Sequence, residues 1–152
     1  MIKKILVPYD SSKYSKKALS HAEEIASKFD ATMFLLTVVD KHEYLHGALL
    51  AELEDDYKVK DTVHRLVKSE VIAAKKMMSR LAKNYEKNKV KVHHHAMKGD
   101  PTEAILDYAQ ANNIDLIILG SEGLSGLSKL KALGSVSRKV SEMAKCPVMI
   151  VR

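Results

Sequence analysis

Short apolar runs alternate with longer amphipathic segments along this chain, and that alternation constrains its fold more than any other feature. The runs are rich in Ile, Leu and Val, as in strands buried on both faces of a parallel sheet. They lie at residues 2–7, 32–39, 115–119 and 148–151, and residues 90–97 also have strand character. Between them, apolar residues recur every three or four positions, as on one face of a helix. The pattern predicts the order βαβαβαβαβ.

Four helices are predicted from this periodicity, at about 12–29, 58–87, 102–112 and 136–144. The inward residues expected in the first are Tyr14, Ala18, His21, Ala22, Ile25 and Phe29. Those expected in the second are Val59, Val63, Leu66, Val67, Val71, Ala74, Met77, Met78, Leu81 and Tyr85. Residues 40–57 are irregular and predicted as a loop with some helix. Strands that alternate with helices imply a five-stranded parallel α/β sheet with right-handed crossovers and helices on both faces.

Size and composition exclude several other classes of protein. A chain of 152 residues with 46% hydrophobic and 29% charged residues is ordinary for a globular protein, and we expect one domain over residues 1–152. Cys146 is the only cysteine, which excludes an intrachain disulfide and a cysteine-rich zinc site. No apolar run approaches the roughly 20 residues of a membrane span, and the N-terminus does not resemble a signal peptide. We therefore expect a cytoplasmic protein without a membrane partner.

Three loops are expected to meet at the carboxyl edge of the sheet, where such folds bind ligands. The first two are Pro8-Tyr9-Asp10 and Val38-Val39-Asp40. The third follows the fourth strand and holds four of the chain's six glycines, namely Gly120, Gly123, Gly126 and Gly134. Glycines allow close approach of a ligand to the backbone, and a helix that begins near Gly134 offers free N–H groups to an anion. These features predict a phosphate-binding site.

The best-known nucleotide-binding signatures are absent from the chain. It contains no G-x-x-x-x-G-K-[ST] and no G-x-G-x-x-G after the first strand. A receiver domain would need an acidic pair after strand one and an Asp at the end of strand three, whereas this chain has the single Asp10 and the run His93-His94-His95-Ala96-Met97. Asp10 has two interpretations, as an acceptor for a ribose or adenine and as the N-cap of the first helix, for which Ser11 and Ser12 compete.

Several short motifs resemble those of the universal stress protein family. They occur in the family's order and on the expected elements across essentially all 152 residues, at Ile5–Ser12, Lys98–Pro101, Gly120–Gly126, Gly134–Ser137 and Cys146–Val151. The resemblance implies a Rossmann-like fold of the adenine nucleotide alpha hydrolase type with strand order 3-2-1-4-5. It also implies a homodimer formed through the C-terminal strand.

In the ATP-binding branch of that family, a G-x2-G-x9-G-[ST] pattern holds ribose and phosphates. Gly120 and Gly123 match its first part, but ten residues precede Gly134-Ser135, and the extra residue could displace the phosphate loop by up to about 3.5 Å. The implied ligand is ATP, with ADP, AMP or cyclic AMP as alternatives and Mg²⁺ as a further possibility. The implied binding residues are Pro8, Tyr9, Asp10, Val38, Leu119, Gly120, Gly123, Gly134, Ser135, Val136 and Ser137. Asp10 and the main chain near Val38 would face adenine and ribose, Gly120 the ribose, and the last five residues the phosphates.

The sequence offers a phosphate cradle without an evident base to activate water or an acidic pair to hold Mg²⁺. We therefore assign no catalytic residue and expect nucleotide binding in a stress-response role, with slow ATP hydrolysis as one alternative. Another alternative is a homodimeric interaction protein that takes no nucleotide, as in the family branch without the glycine pattern. The extra residue favours that alternative, and the glycines favour nucleotide binding.

Other features are interpreted as structural. In the run His93-His94-His95, adjacent strand residues point to opposite faces, so at most two of them could share an ion, and we assign no metal site. Residues 58–91 hold eleven Lys and Arg against three acids, but these charges are typical of the solvated face of a long helix, and we expect no nucleic-acid partner. The cations Lys129, Lys131, Arg138 and Lys139 with Glu122 leave a charge of +3 at 119–139, which suits a polyphosphate. Cys146 is interpreted as structural rather than redox-active.

Overall fold

Strands and helices alternate throughout the computed structural model, which describes residues 1–40, 57–123 and 133–152. The elements are β1 (Lys4–Pro8), α1 (Lys13–Phe29), β2 (Thr32–Val39), α2 (Tyr57–Glu86), β3 (Val92–Lys98), α3 (Pro101–Ala111), β4 (Leu116–Gly120), α4 (Ser135–Met143) and β5 (Val148–Val151). This order confirms the prediction, and each boundary lies within two residues of the expected one. Most of the loop predicted at 40–57, together with Gly126, Lys129 and Lys131, lies outside the described residues.

The five strands form one sheet in the order β3-β2-β1-β4-β5, and every pairing is parallel. This confirms the predicted fold class and strand order. Side chains alternate along β1, so Ile5 and Val7 pack with α1 and α2, whereas Leu6 packs with α3 and α4. Both faces of the sheet are therefore covered at its centre, which explains why β1, β2 and β4 are apolar without alternation.

Three side chains predicted to face inward are exposed instead. α1 packs on the sheet through small residues and one leucine, and its buried face consists of Ser15, Ala18, Leu19, Ala22 and Ala26. His21 lies outside this narrow stripe. Phe29 is 50% exposed because it is the last residue of α1, and Asp30 turns the chain away in a left-handed conformation with φ 47°. Leu66 is also largely exposed on α2, since the buried position in that turn is taken by Val67.

The amino end of β1 is fixed by the carboxylate of Asp115, which immediately precedes β4. Asp115 Oδ2 accepts hydrogen bonds from the backbone N–H groups of Lys3, at 2.8 Å, and Lys4, at 2.9 Å. The Asp115 N–H in turn donates to the Lys4 carbonyl at 2.9 Å. The backbone hydrogen bond from Lys3 is the main cause that lowers the pKa of Asp115. A charged side chain thus joins the two central strands.

Replacement of Asp115 by asparagine is expected to reduce the free energy of unfolding by about 1 kcal/mol at pH 7, a modest amount because the site is solvent-accessible. The pKa of Asp115 is lower in the folded state than in the unfolded chain, where it is about 3.9. The stabilisation is therefore fully present above the unfolded pKa and is lost as the pH falls through the folded pKa. Urea unfolding from pH 7 to about 3 measures the effect. The control is Asp107→Asn, an exposed site on α3. Equal pH dependence of wild type and Asp115→Asn would contradict the assignment.

Across the described residues, none of the helices combines the length and the apolar character needed to cross a membrane.

Candidate functional site

A crevice of about 510 Å³ opens at the carboxyl edge of the sheet, where β1, β2 and β4 end. This volume lies in the range typical of small-molecule sites. All eleven residues that the sequence assigned to ligand binding line it, namely Pro8, Tyr9, Asp10, Val38, Leu119, Gly120, Gly123, Gly134, Ser135, Val136 and Ser137. Sequence reasoning missed the walls that α2 and α3 supply, which include Glu70, Ala73, Met77, Pro101 and Ile105.

Asp10 lies in the turn between β1 and α1 and does not cap the helix. The N-cap is Ser12, whose Oγ accepts from the Ser15 N–H at 3.1 Å. Asp10 Oδ1 accepts from the Ser12 N–H at 3.0 Å and so supports the turn. Asp10 Oδ2 lies only 2.9 Å from the place that a Cβ on Gly123 would occupy. One carboxylate oxygen is therefore engaged in the turn, and the other faces the loop after β4.

Tyr9 holds this turn against β2 through its main chain. Its N–H donates to the Leu36 carbonyl at 2.8 Å, and its carbonyl accepts from the Thr37 hydroxyl at 2.8 Å. Both of its peptide groups are thus engaged within the protein. Tyr9 lines the crevice but positions the turn rather than offering backbone hydrogen bonds to a ligand.

The peptide groups of Val38 face the crevice because of the alternation within a parallel strand. Successive residues of such a strand direct their N–H and C=O groups to opposite neighbours. The Leu36 carbonyl accepts from Tyr9 on the β1 side, and the Val39 carbonyl accepts from Gly99 on the β3 side. Val38 is two residues beyond Leu36 and is directed to the same side, where β1 has already ended. Its main chain can therefore meet a ligand.

Gly120 has a packing role that the sequence did not reveal. A Cβ at this position would lie 2.7 Å from both C and Cβ of Tyr14 and 2.9 Å from N of Ser15. Such distances are far below ordinary contact, so α1 can rest on the end of β4 only because the side chain is absent. The close packing of α1 brings the Asp10 turn next to the loop after β4.

Ser121, directly after β4, links that strand to β5 and to the start of α4. Its N–H donates to the Val151 carbonyl of β5 at 2.8 Å, and its carbonyl accepts from the Gly134 N–H at 2.8 Å and the Ser137 hydroxyl at 2.8 Å. The Ser137 hydroxyl also lies 3.0 Å from the Gly134 carbonyl. In this structure the Ser137 hydroxyl thus ties the start of α4 to the residue after β4.

The start of α4 presents backbone donors to the crevice. Gly134 is its N-cap and supplies no side-chain hydrogen bond, and the first turn contains no acidic residue. Within the described residues, the N–H groups of Ser135, Val136 and Ser137 thus have no side-chain cap. Uncapped N–H groups and the positive end of the helix dipole favour an anion. Arg138 is exposed in the same helix and adds positive charge.

The remaining candidates lie away from the crevice. His93, His94 and His95 are exposed on β3, where His93 packs against Phe34 with ring centroids 5.1 Å apart. The described residues contain no cluster of three or more side chains suited to a metal ion. Cys146 packs against the α3 and α4 core, and burial raises the pKa of its thiol. A raised pKa disfavours the reactive thiolate and supports a structural role.

Comparisons with known proteins agree with this architecture. The model of the universal stress protein family matches residues 1–152. Universal stress protein MJ0531 of Methanocaldococcus jannaschii is 34% identical over 152 residues, which cover 100% of this chain and 83% of that protein. Universal stress protein YxiE of Bacillus subtilis is 32% identical over 152 residues, which cover 100% of this chain and 100% of that protein.

Solved structures are similar over nearly the whole chain. The structure of hypothetical protein MJ0577 has a TM-score of 0.83 and 30% identity, covering 99% of this chain and 96% of that one. Universal stress protein UspA from Lactobacillus plantarum has a TM-score of 0.82 and 28% identity, and the match covers 99% of this chain and 97% of that one. Because the family model spans residues 1–152 and the fold agrees, the chain belongs to the universal stress protein family, a family of stress-response proteins.

Proposed function

We propose that this protein binds an adenine nucleotide, with ATP as the ligand, in the crevice at the carboxyl edge of the sheet. The observation that carries the proposal is the pairing of two kinds of group in one crevice. At the start of α4, backbone N–H groups suit phosphates. Beside it, the Asp10 carboxylate can accept hydrogen bonds from a ribose or an adenine edge, and the Val38 main chain offers both an N–H donor and a carbonyl acceptor. A nucleotide needs both.

Proteins with this fold have been solved with adenine nucleotides. One structure is of a universal stress protein in complex with cAMP, at 21% identity and a TM-score of 0.59. Another is of the universal stress protein from Archaeoglobus fulgidus in complex with dAMP, at 17% identity and a TM-score of 0.63. At these identities the likeness concerns the fold, so the residues of this chain's own crevice carry the proposal.

Binding, rather than turnover, is the proposed activity. The described lining of the crevice contains no histidine, lysine or cysteine, and the groups there that could act as a base are the carboxylates of Asp10, Asp40, Glu70 and Glu122. Mg²⁺ is usually held by substrate phosphates and one or two carboxylates, and Asp10 and Glu122 are carboxylates at the crevice. We expect the ion to enter with the nucleotide. Slow hydrolysis is the alternative, and a rate abolished by Asp10→Ala without loss of binding would support it.

Nucleotide-free protein is expected to bind at least one of ATP, ADP, AMP and cyclic AMP with a dissociation constant below about 1 mM, equivalent to a free energy more favourable than about −4 kcal/mol. Isothermal titration calorimetry with the four nucleotides measures this, and mass spectrometry identifies any small molecule that copurifies. Absence of binding by all four would refute the proposal and favour an interaction protein that takes no nucleotide.

We also propose that β5 pairs with its copy in a homodimer. β5 forms one edge of the sheet. The Pro147 and Val151 carbonyls face β4, so the peptide groups of Val148 and Ile150 point away from the sheet. An edge with free donors and apolar side chains favours strand pairing. Light scattering should give twice the chain mass, and a monomer at all concentrations would refute the dimer.

A further inference from the structure

A second groove of about 390 Å³ lies on α2, on the sheet face that α1 and α2 cover. It shares Tyr9, Ala73 and Met77 with the crevice but lacks the glycines and the start of α4. Its own residues include Lys76, Arg80, Leu81 and Asn84. The groove is therefore a neighbouring site with a different set of chemical groups.

Two cations form one wall of this groove. Lys76 and Arg80 are four residues apart, which places them one above the other on the same side of a helix. Both are exposed. The ion pairs found among the described residues are Lys28 with Glu24 and Arg65 with Asp61, so neither groove cation has a carboxylate partner there. Asn84 continues the wall one turn later with a neutral amide.

Tyr9 lines the same groove from the turn after β1. The residue is only 8% exposed, and its recorded hydrogen bonds involve the main chain alone. Within residues 1–40, 57–123 and 133–152, its hydroxyl has no hydrogen-bond partner. None of the buried side-chain nitrogen and oxygen atoms of these residues lacks a partner, so the Tyr9 hydroxyl is accessible to solvent. A phenol whose ring is packed in the core and whose hydroxyl reaches a groove is an available donor.

We propose that this groove binds a small phosphate monoester. Arg80 and Lys76 would hold the phosphate, because a guanidinium binds its oxygens in a bidentate manner and an ammonium adds a point charge. The Tyr9 hydroxyl and the Asn84 amide would donate further hydrogen bonds. The carbon body of the ester would rest on Met77 and Leu81. The described lining holds no carboxylate that would repel the phosphate.

Phenyl phosphate is a suitable probe, with phenol and inorganic phosphate as its separate halves. In an NMR titration of the whole protein, we expect the backbone amides of residues 73–84 to shift and saturate, with tighter binding of phenyl phosphate than of either half. The double variant Lys76→Gln, Arg80→Gln should weaken binding at least about tenfold, because it removes both charge-assisted contacts. Tyr9→Phe should weaken it severalfold while the amide spectrum stays folded.

The matched control is Lys83→Gln, Lys87→Gln. It makes the same change in charge on or next to α2, at exposed positions outside the groove, and should alter the affinity by less than about twofold. An equal loss in the control would show general attraction to a basic helix and overturn the proposal. Saturating shifts only at residues 135–137 would place the phosphate in the crevice and would also overturn it. Absence of any saturable shift would also overturn the proposal. Nucleotide binding is measured separately by calorimetry, so a failure of this groove would not be confused with a failure of the crevice.

Discussion

Replacement of Gly120 by alanine is expected to lower the free energy of unfolding by about 3 kcal/mol. The new Cβ would come within 2.7 Å of Tyr14 and 2.9 Å of the Ser15 backbone nitrogen. α1 cannot easily withdraw, because Ala18, Leu19 and Ala22 on the same face are buried in the core against the sheet. Relief of the clash would therefore require α1 to separate from β4. Urea unfolding measures the change.

Gly134→Ala is the matched control for this prediction. It adds the same methyl group at the same edge of the sheet, but the nearest atom to its Cβ would be the Ser121 carbonyl oxygen, at 3.3 Å. A small shift relieves such a contact, and an N-cap alanine in place of glycine adds a modest cost, so the total should stay within about 1 kcal/mol. Equal destabilisation by both substitutions would contradict the close packing of α1 on Gly120.

Replacement of Gly123 by valine is expected to weaken nucleotide binding at least about a hundredfold, while the free energy of unfolding changes little. Gly123 is exposed, and the atom that its Cβ would crowd is the end of the Asp10 side chain, which can turn away while the backbone stays in place. Its Cβ, however, would lie 2.9 Å from Asp10 Oδ2, and the two methyl groups would displace that carboxylate and narrow the crevice. Calorimetry gives the affinity, and urea unfolding gives the stability.

A double-mutant cycle identifies the cause of that loss. If Gly123→Val acts through the displaced carboxylate, its effect and that of Asp10→Ala should fall short of additivity when combined. Ser141→Val, on the exposed side of α4, provides a valine control away from the crevice. An unchanged affinity in Gly123→Val would mean that the loop after β4 does not contact the ligand.

β1, β2 and β4 were predictable because they are covered on both faces and are therefore almost entirely apolar. β2 and β5 have the expected bounds, and the other strands shift by one or two residues at their ends. The meeting of Asp10, Val38 and Gly123 follows from the same pattern, since the carboxyl ends of parallel strands share one edge. That logic depends only on chain order and periodicity, both of which are visible in a sequence.

The roles of Gly120 and Ser121 were not predictable in the same way. The first depends on how closely α1 approaches β4, a distance that no local pattern records. The second depends on three hydrogen bonds to residues far along the chain, and a single serine carries no signal for them. The walls that Met77 and Ile105 supply come from helices rather than strand ends, so they too depend on tertiary packing.

The hydrogen bonds of Ser121 also bear on how long the segment before Gly134 needs to be. Ten residues separate Gly123 from Gly134, yet the Gly134 N–H and the Ser137 hydroxyl are held by the Ser121 carbonyl, which lies before that segment. The entropy of closing a loop on fixed ends grows with the logarithm of its length, so one added residue costs only about 0.1 kcal/mol. The start of α4 is therefore held by the end of β4 itself, so its position need not depend on the exact number of residues between Gly123 and Gly134.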